Sequence, residues 1–232
     1  MSIYKQYCNE VVDENGRLKK ITLKYPDNFN FGYDVVDKAA KETPDKRALV
    51  WCNVEGEEHI FSFADIKKYS DQMANVFHSA GISRGDRVMV ILKRHYEYWF
   101  AAVALHKLGA VMIPATHMLT VSDLVYRMKV SKAKAIVCTT QNEVPEKIIA
   151  ALKEARMRAK LWCVQKDADG FENLTEAMKK APAEFERVQT LVTDPMLLYF
   201  TSGTTGYPKG VIHEHSYPLA HIVTAKYWHQ AE

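Results

Sequence analysis

Residues 87–115 read RVMVILKRHYEYWFAAVALHKLGAVMIPA, and this stretch decides the fold class. Its opening segment, 87–92, is almost wholly apolar and predicts a short buried strand. Segment 96–108 is apolar on nearly every side, which is typical of a buried helix. Segment 110–115 predicts a second apolar strand. A strand, a helix and another strand in this order are typical of a parallel unit whose helix covers the sheet.

The alternation of strand and helix extends on both sides of this stretch. Further strands are predicted at 47–53, 58–63, 134–139, 160–164 and 196–200, and helices at 34–42, 63–80, 121–130, 144–155 and 173–181. We therefore predict an α/β fold, a mostly parallel sheet covered by helices. Ligands of such sheets bind at the carboxyl ends of the strands.

The composition is that of an ordinary globular protein and excludes several classes. The chain has 232 residues, of which 47% are hydrophobic and 25% charged, with a formal net charge of +3. This charge is too small to indicate a nucleic-acid partner. The longest apolar block is far shorter than a membrane span of ~20 residues, and the N-terminus lacks the apolar core of a secretory signal. The four cysteines form no C-x-x-C pair, so we expect reduced thiols and a cytoplasmic location.

The chain divides into two parts of unequal length. Residues 1–33 are mixed and polar, with turn signals, and predict an N-terminal arm. Residues 34–232 carry the strand and helix alternation and predict one large domain. The stretch 179–194 is charged and contains Pro182, and of all segments of the chain it most resembles a linker.

A loop rich in hydroxyls and glycines follows the last apolar strand. Residues 199–210 read YFTSGTTGYPKG. Glycines allow positive φ and leave the backbone N–H groups unshielded, so that they can form a nest for an anion. The hydroxyls add donors, and Lys209 adds a positive charge suited to phosphate. The loop is not a Walker A motif, because Pro208 precedes the lysine and Gly210 follows it. A hydroxyl-rich turn without a ligand is the alternative that the residues alone leave open.

Several stretches carry a resemblance to a known family. Residues 201–210, TSGTTGYPKG, closely resemble the signature loop of the AMP-forming adenylating enzymes, which include acyl-CoA synthetases and peptide-synthetase adenylation domains. Residues 85–88, GDRV, and 98–114 resemble the early strand, helix and strand of the same family, and 61–65, FSFAD, resembles a helix-opening segment. The resemblance covers roughly 34–232. The segment GYPKGVIHEHSY, 206–217, is most similar to the acetyl- and medium-chain acyl-CoA synthetase branch.

The resemblance implies a two-step reaction. A carboxylate attacks the α-phosphate of ATP to give an acyl-adenylate and pyrophosphate, and a thiol, usually coenzyme A, then takes the acyl group. ATP, Mg²⁺ and coenzyme A are the implied cofactors, and a short or medium carboxylic acid is the implied substrate. Carried over by position, the residues that would hold the ATP phosphates are Thr201, Ser202, Gly203, Thr204, Thr205, Gly206 and Lys209. Arg127, on a predicted helix, would touch the nucleotide of coenzyme A, with a surface arginine as the alternative.

Several parts of the family pattern are missing from these 232 residues. The aromatic-Gly-x-Thr-Glu motif, the ribose-binding aspartate and the small C-terminal domain with its catalytic lysine do not occur. We therefore expect an N-terminal fragment of the large domain, inactive alone, with no catalytic residue and no metal ligand assigned. The alternatives are a complete, non-catalytic nucleotide-binding module and an adenylation domain that loads a carrier protein. A fragment would expose apolar surface and could associate with itself.

Two histidine-containing segments are weaker candidates. His213 and His215 would face one side of a strand, but no third metal ligand is visible, so packing is favoured over metal binding. Residues 93–95, KRH, follow the strand 87–92 at its carboxyl end, where a solvated turn is favoured over a role in the ligand cleft.

Overall fold

The computed structural model describes residues 3–201 and 206–230. Within them the strands are Cys8–Val12 (β1), Leu18–Leu23 (β2), Arg47–Cys52 (β3), Glu58–Ser62 (β4), Arg87–Ile91 (β5), Val111–Pro114 (β6), Ala135–Cys138 (β7), Lys160–Cys163 (β8), Glu172–Asn173 (β9), Pro195–Thr201 (β10) and Lys209–Glu214 (β11). The α-helices are Ile3–Tyr7 (α1), Lys38–Glu42 (α2), Phe63–Ser79 (α3), Glu97–Leu108 (α4), Val121–Ser131 (α5), Val144–Ala155 (α6), Leu174–Lys180 (α7) and Tyr217–Tyr227 (α8). A π-helical segment, Gly32–Asp37, leads directly into α2.

A seven-stranded sheet forms the centre of the molecule. Its strand order is β11-β10-β6-β5-β7-β8-β9, and every neighbouring pair except β10 and β11 is parallel. The predicted α/β class is therefore confirmed. The strands β1 and β2 pair as a separate antiparallel hairpin, as do β3 and β4.

The chain reverses direction across the sheet at β5. The first crossover leads from β5 to β6 on one side, and the next returns past β5 to β7 on its other side. Helices α3, α4 and α7 consequently pack together in one core, and α5 and α6 pack in the other. The carboxyl ends of β5, β6, β7 and β10 lie at one edge, where ligands of such sheets bind.

Helix α4 is buried on almost all sides, as its sequence predicts. It lies between the sheet and α3, so that even Lys107 is fully buried. The Lys107 ammonium lies 2.5 Å from an Asp71 oxygen and 2.6 Å from an Asp37 oxygen, and it donates a hydrogen bond to Ser70. Burial raises the pKa of the Asp37 carboxyl, although the nearby ammonium acts in the opposite direction. A buried cation with two carboxylates ties α3 to α4.

The N-terminal arm and the predicted linker are both held by specific contacts. In the N-terminal arm, Glu10 on β1 accepts hydrogen bonds from Tyr4 and Tyr227 and pairs with Lys226 at 2.7 Å. The arm is thereby attached to the end of α8. The predicted linker is attached to the start of the large domain, because Arg187 donates two hydrogen bonds to the Asp34 carboxylate. The division of the chain at residue 33 stays a prediction.

Candidate phosphate-binding loop

The loop predicted to hold phosphate joins β10 to β11. Thr201, the last residue of β10, lies directly opposite Lys209, the first residue of β11. Because β10 runs parallel to β6, Thr201 is at the carboxyl edge of the sheet. The predicted site residues Ser202, Gly203, Thr204 and Thr205 lie outside the described residues.

The described residues of the loop leave polar groups accessible. The Thr201 side chain is exposed and its hydroxyl donates a 3.4 Å hydrogen bond to the Lys209 carbonyl. Lys209 is exposed, and no carboxylate in the described part of the chain pairs with its ammonium. Gly206 has a φ of +120°, and beyond its chain neighbours no atom of the described residues lies within 4 Å of the position that a Cβ would occupy. An accessible hydroxyl and an exposed ammonium with no carboxylate partner among the described residues suit an anion.

Helix α5 contacts both arms of the loop. The Tyr126 hydroxyl donates a 2.9 Å hydrogen bond to the carbonyl of Pro208. Its ring stacks on Tyr207 with centroids 4.7 Å apart and planes at 17°. The same ring meets Phe200, on β10, edge to face at 6.3 Å. The loop is therefore attached to a helix as well as to the sheet.

A family model described as "AMP-binding enzyme" matches residues 36–232. The chain belongs to the AMP-binding enzyme family. Its matched segment includes the whole seven-stranded sheet and the loop, whereas the N-terminal arm precedes it.

Curated relatives of this AMP-binding chain are named as acyl-coenzyme A synthetases. "Acyl-coenzyme A synthetase ACSM3, mitochondrial" from Homo sapiens is 38% identical over 214 residues, which cover 89% of this chain and 36% of the relative. "Acyl-coenzyme A synthetase ACSM4, mitochondrial" from Mus musculus is 36% identical over 225 residues, covering 94% and 38%. The chain thus spans a little over a third of the length of these relatives.

Solved structures share the fold. The crystal structure of Brucella canis acyl-CoA synthetase superposes with a TM-score of 0.77 at 24% identity, covering 88% of this chain and 36% of that one. The anthranilate CoA ligase AuaEII, solved with anthranoyl-AMP, gives a TM-score of 0.74 at 20% identity, covering 88% of this chain and 38% of that one.

Among the described helices, none combines the length and the apolar composition that a membrane-spanning helix needs.

Arg127 of the AMP-binding chain lies beside the loop, with its guanidinium already in contact with protein groups. The guanidinium is 5.5 Å from the Phe200 ring centroid and 3.4 Å from an Asp123 oxygen, and the side chain is only 12% exposed. A surface arginine, the alternative from sequence, does not describe this position. The predicted contact with coenzyme A stays a prediction.

The two histidines after the loop pack against aromatic groups. The His213 ring packs against Tyr217 with centroids 4.0 Å apart and planes tilted by 40°, and it meets Tyr199 edge to face at 5.7 Å. His215 lies beyond the end of β11, fully buried, with its ring 6.4 Å from His106. Because His215 lies outside β11, the two histidines do not share one strand face. Both pack against aromatic or histidine rings, and packing is the role that the sequence favoured over metal binding. Residues 3–201 and 206–230 contain no group of three or more potential ligands arranged for a metal ion.

The segment 93–95 divides into exposed and buried parts. Lys93 and Arg94 are exposed, as expected of a solvated turn, but His95 is buried and hydrogen-bonds the Thr139 hydroxyl at 2.9 Å. Burial, the largest cause, lowers the His95 pKa, so this ring is neutral near pH 7. Tyr126 was missed by the sequence analysis, because a single tyrosine in a helix belongs to no motif. The capping box of Thr120 and Asp123, which fixes where α5 begins, was a detectable signal nearby.

Proposed function

We propose that this chain is the nucleotide-phosphate-binding part of an ATP-dependent carboxylic acid–CoA ligase of the AMP-forming type. The enzyme activates a short or medium carboxylic acid as an acyl-adenylate and passes the acyl group to coenzyme A. The observation that carries the proposal is the opposed pair Thr201 and Lys209, both exposed, which flank the loop at the carboxyl edge of the sheet.

The chemistry of the loop supports polyphosphate as its ligand. Charge builds up on the departing pyrophosphate when a carboxylate attacks the α-phosphate, and preorganised donors stabilise that charge. The Lys209 ammonium would supply a compact positive charge and Thr201 a hydroxyl donor, in line with the role expected of the whole set 201–206 and 209. Mg²⁺ would neutralise further phosphate charge, and no residue of this chain is assigned to it.

The names of the relatives support coenzyme A, rather than a carrier protein, as the acyl acceptor. Arg127 remains our proposed contact for its nucleotide. Arg127→Gln should weaken binding of coenzyme A and leave ATP affinity unchanged, as isothermal titration would measure. Equal affinity of the variant and the wild-type chain for coenzyme A would remove Arg127 from the site.

The compartment is a separate prediction. We predicted the cytoplasm, whereas the names of the relatives include the word mitochondrial. Fractionation of cells that produce the protein, followed by detection in the cytosolic and mitochondrial fractions, decides between the two.

ATP binding to the 232-residue chain tests the proposed site. We expect isothermal titration calorimetry to detect binding of ATP and of inorganic pyrophosphate to this chain. Lys209→Ala should lower both affinities by about tenfold to a hundredfold, because a hydrogen bond to a charged group is lost. Lys153→Ala is the matched control, since Lys153 is an exposed lysine near the end of α6. A wild-type chain that binds neither ligand, or an equal loss in both variants, would contradict the proposal.

Activity is tested by exchange of labelled pyrophosphate into ATP with a panel of carboxylic acids. We expect exchange from the whole enzyme with a short or medium acid and none from the 232 residues alone. The absence of exchange with every acid, from a chain as long as its relatives, would exclude adenylation and favour a non-catalytic nucleotide-binding module.

A further inference from the structure

The second arm of the loop, from Gly206 to β11, has little to fix it within itself. Gly206 adopts a φ of +120°, a Cβ there would contact no non-neighbouring atom of residues 3–201 and 206–230, and Tyr207 is 75% exposed. Ordering such a segment when a ligand binds has an entropic cost for each residue fixed. A contact that orders the segment beforehand removes part of that cost from the binding step.

Tyr126 supplies two such contacts. Its hydroxyl holds the Pro208 carbonyl, and its ring lies parallel to the ring of Tyr207. The contacted residues immediately precede Lys209, so they fix the point from which the lysine side chain starts. Since Pro208 has no backbone N–H and a restricted φ, anchoring its carbonyl also orients the adjoining peptide.

The position of Tyr126 is itself fixed by the core. The Thr120 and Asp123 capping box sets the first turn of α5. Leu124, Val125 and Met128 are buried in the core between α5 and the sheet. A helix held at its start and along its buried face presents its next residues at a defined position, which is what a positioning residue requires.

We propose that Tyr126 is a positioning residue for the phosphate loop: it holds the arm that precedes Lys209 in the binding-competent conformation without touching the ligand. The inference rests on the proposed function of the loop as a polyphosphate site. It adds a residue that lies 82 positions in sequence from Pro208, the residue that it contacts, and on a different element of the fold.

Hydrogen exchange without ligand tests the anchoring alone. In Tyr126→Phe, which keeps the ring and loses the hydroxyl, amides of the peptide from Gly206 to Val211 should exchange faster than in the wild-type chain. In Tyr126→Leu, which loses both contacts, they should exchange faster still. Tyr25→Phe is the matched control, because Tyr25 is an exposed tyrosine of the N-terminal arm. Exchange at wild-type rates in both Tyr126 variants would overturn the proposal.

Affinity for ATP tests whether anchoring matters to binding. We expect a loss of about fivefold in Tyr126→Phe and about thirtyfold in Tyr126→Leu, from one lost hydrogen bond and then one lost ring contact as well. The thermal midpoint of Tyr126→Phe should stay within about 2 °C of wild type, since the change is small and local. Tyr207→Ala removes the ring contact from the other side, so its effect should not add to that of Tyr126→Leu.

The outcomes separate this proposal from the proposed function. Faster exchange with unchanged ATP affinity would overturn the positioning role. A wild-type chain that binds no ATP would contradict the proposed function, while the exchange rates would still decide whether Tyr126 anchors the loop.

Discussion

Acidification is expected to destabilise the protein through two buried histidines. His106, on α4, and His215, after β11, lie with ring centroids 6.4 Å apart, and none of their four ring nitrogens has a hydrogen-bond partner among the described residues. Burial, with His215 adding to it, lowers the pKa of His106 to about 3. Burial also lowers the pKa of His215 to about 4. The charge of Asp194 acts against this shift, and the charge of Arg84 adds to it.

The sign of the effect follows from where the proton binds. Both rings are neutral in the folded chain, and in the unfolded chain both titrate near 6.5. The unfolded state therefore binds more protons as the pH falls below 6.5, and folding stability is lost from there downward until the folded pKa values are reached. Between pH 7.5 and pH 5.0 each histidine should lower the free energy of unfolding by about 2 kcal/mol, so the pair should lower it by about 4 kcal/mol.

Urea unfolding followed by circular dichroism at steps from pH 7.5 to 5.0 measures this slope. The double variant His106→Leu/His215→Leu should lose most of this dependence of stability on pH. The control variant His229→Leu, which replaces an exposed histidine, should lose none of it. Buried His95, whose pKa burial lowers, contributes a slope of the same sign in every variant, and Glu97, whose pKa burial raises, contributes with the opposite sign. Both contributions cancel when wild type and double variant are compared. Equal slopes for these two proteins would refute the reasoning.

Two further changes test the packing around α4. Lys107→Met should lower the free energy of unfolding by about 3–5 kcal/mol, because the largely buried Asp37 loses its ion-pair partner and the buried Asp71 keeps only Lys67. Lys67→Met removes a part-exposed cation and leaves Asp71 paired with Lys107, so it should cost about 1 kcal/mol or less. Gly109→Ala places a Cβ 2.7 Å from a neighbouring methyl group at a φ of +67° and should cost more than Gly16→Ala, which has a φ of +73° and open space. Urea unfolding measures all four, and equal losses within either pair would contradict the structure.

Local patterns were sufficient to predict most strands of the sheet, although not β9, which is only two residues long. Apolar runs four to seven residues long and the helices between them are properties of neighbouring residues, so segments such as 87–92 and 144–155 were found close to their observed bounds. The all-round apolar surface of α4 also predicted its burial. The antiparallel pairing of β10 with β11 was not predicted, because an apolar run does not specify its partner or the direction of that partner.

The candidate site was predictable only in part for a related reason. Thr201 and Lys209 belong to one continuous motif, which the sequence shows. The contact of Tyr126 with Pro208 joins residues 82 apart and depends on β10 lying next to β6, the strand that leads into α5. The burial of His106 against His215 has the same origin, since α4 and the end of β11 meet only once the sheet order is set.

The sheet order gives the loop its support as well as its location. Because β10 is inserted beside β6, the loop that leaves β10 and the helix that follows β6 start from neighbouring strand ends. The helix is already fixed by its core residues, so it can hold a glycine-rich segment that has few contacts of its own. A phosphate loop in this position can keep the backbone freedom that its glycines provide for an anion and still present Lys209 from an ordered arm. The residues that would touch the ligand therefore lie in the antiparallel hairpin of β10 and β11, and the residue that orders them lies on the crossover helix that follows β6.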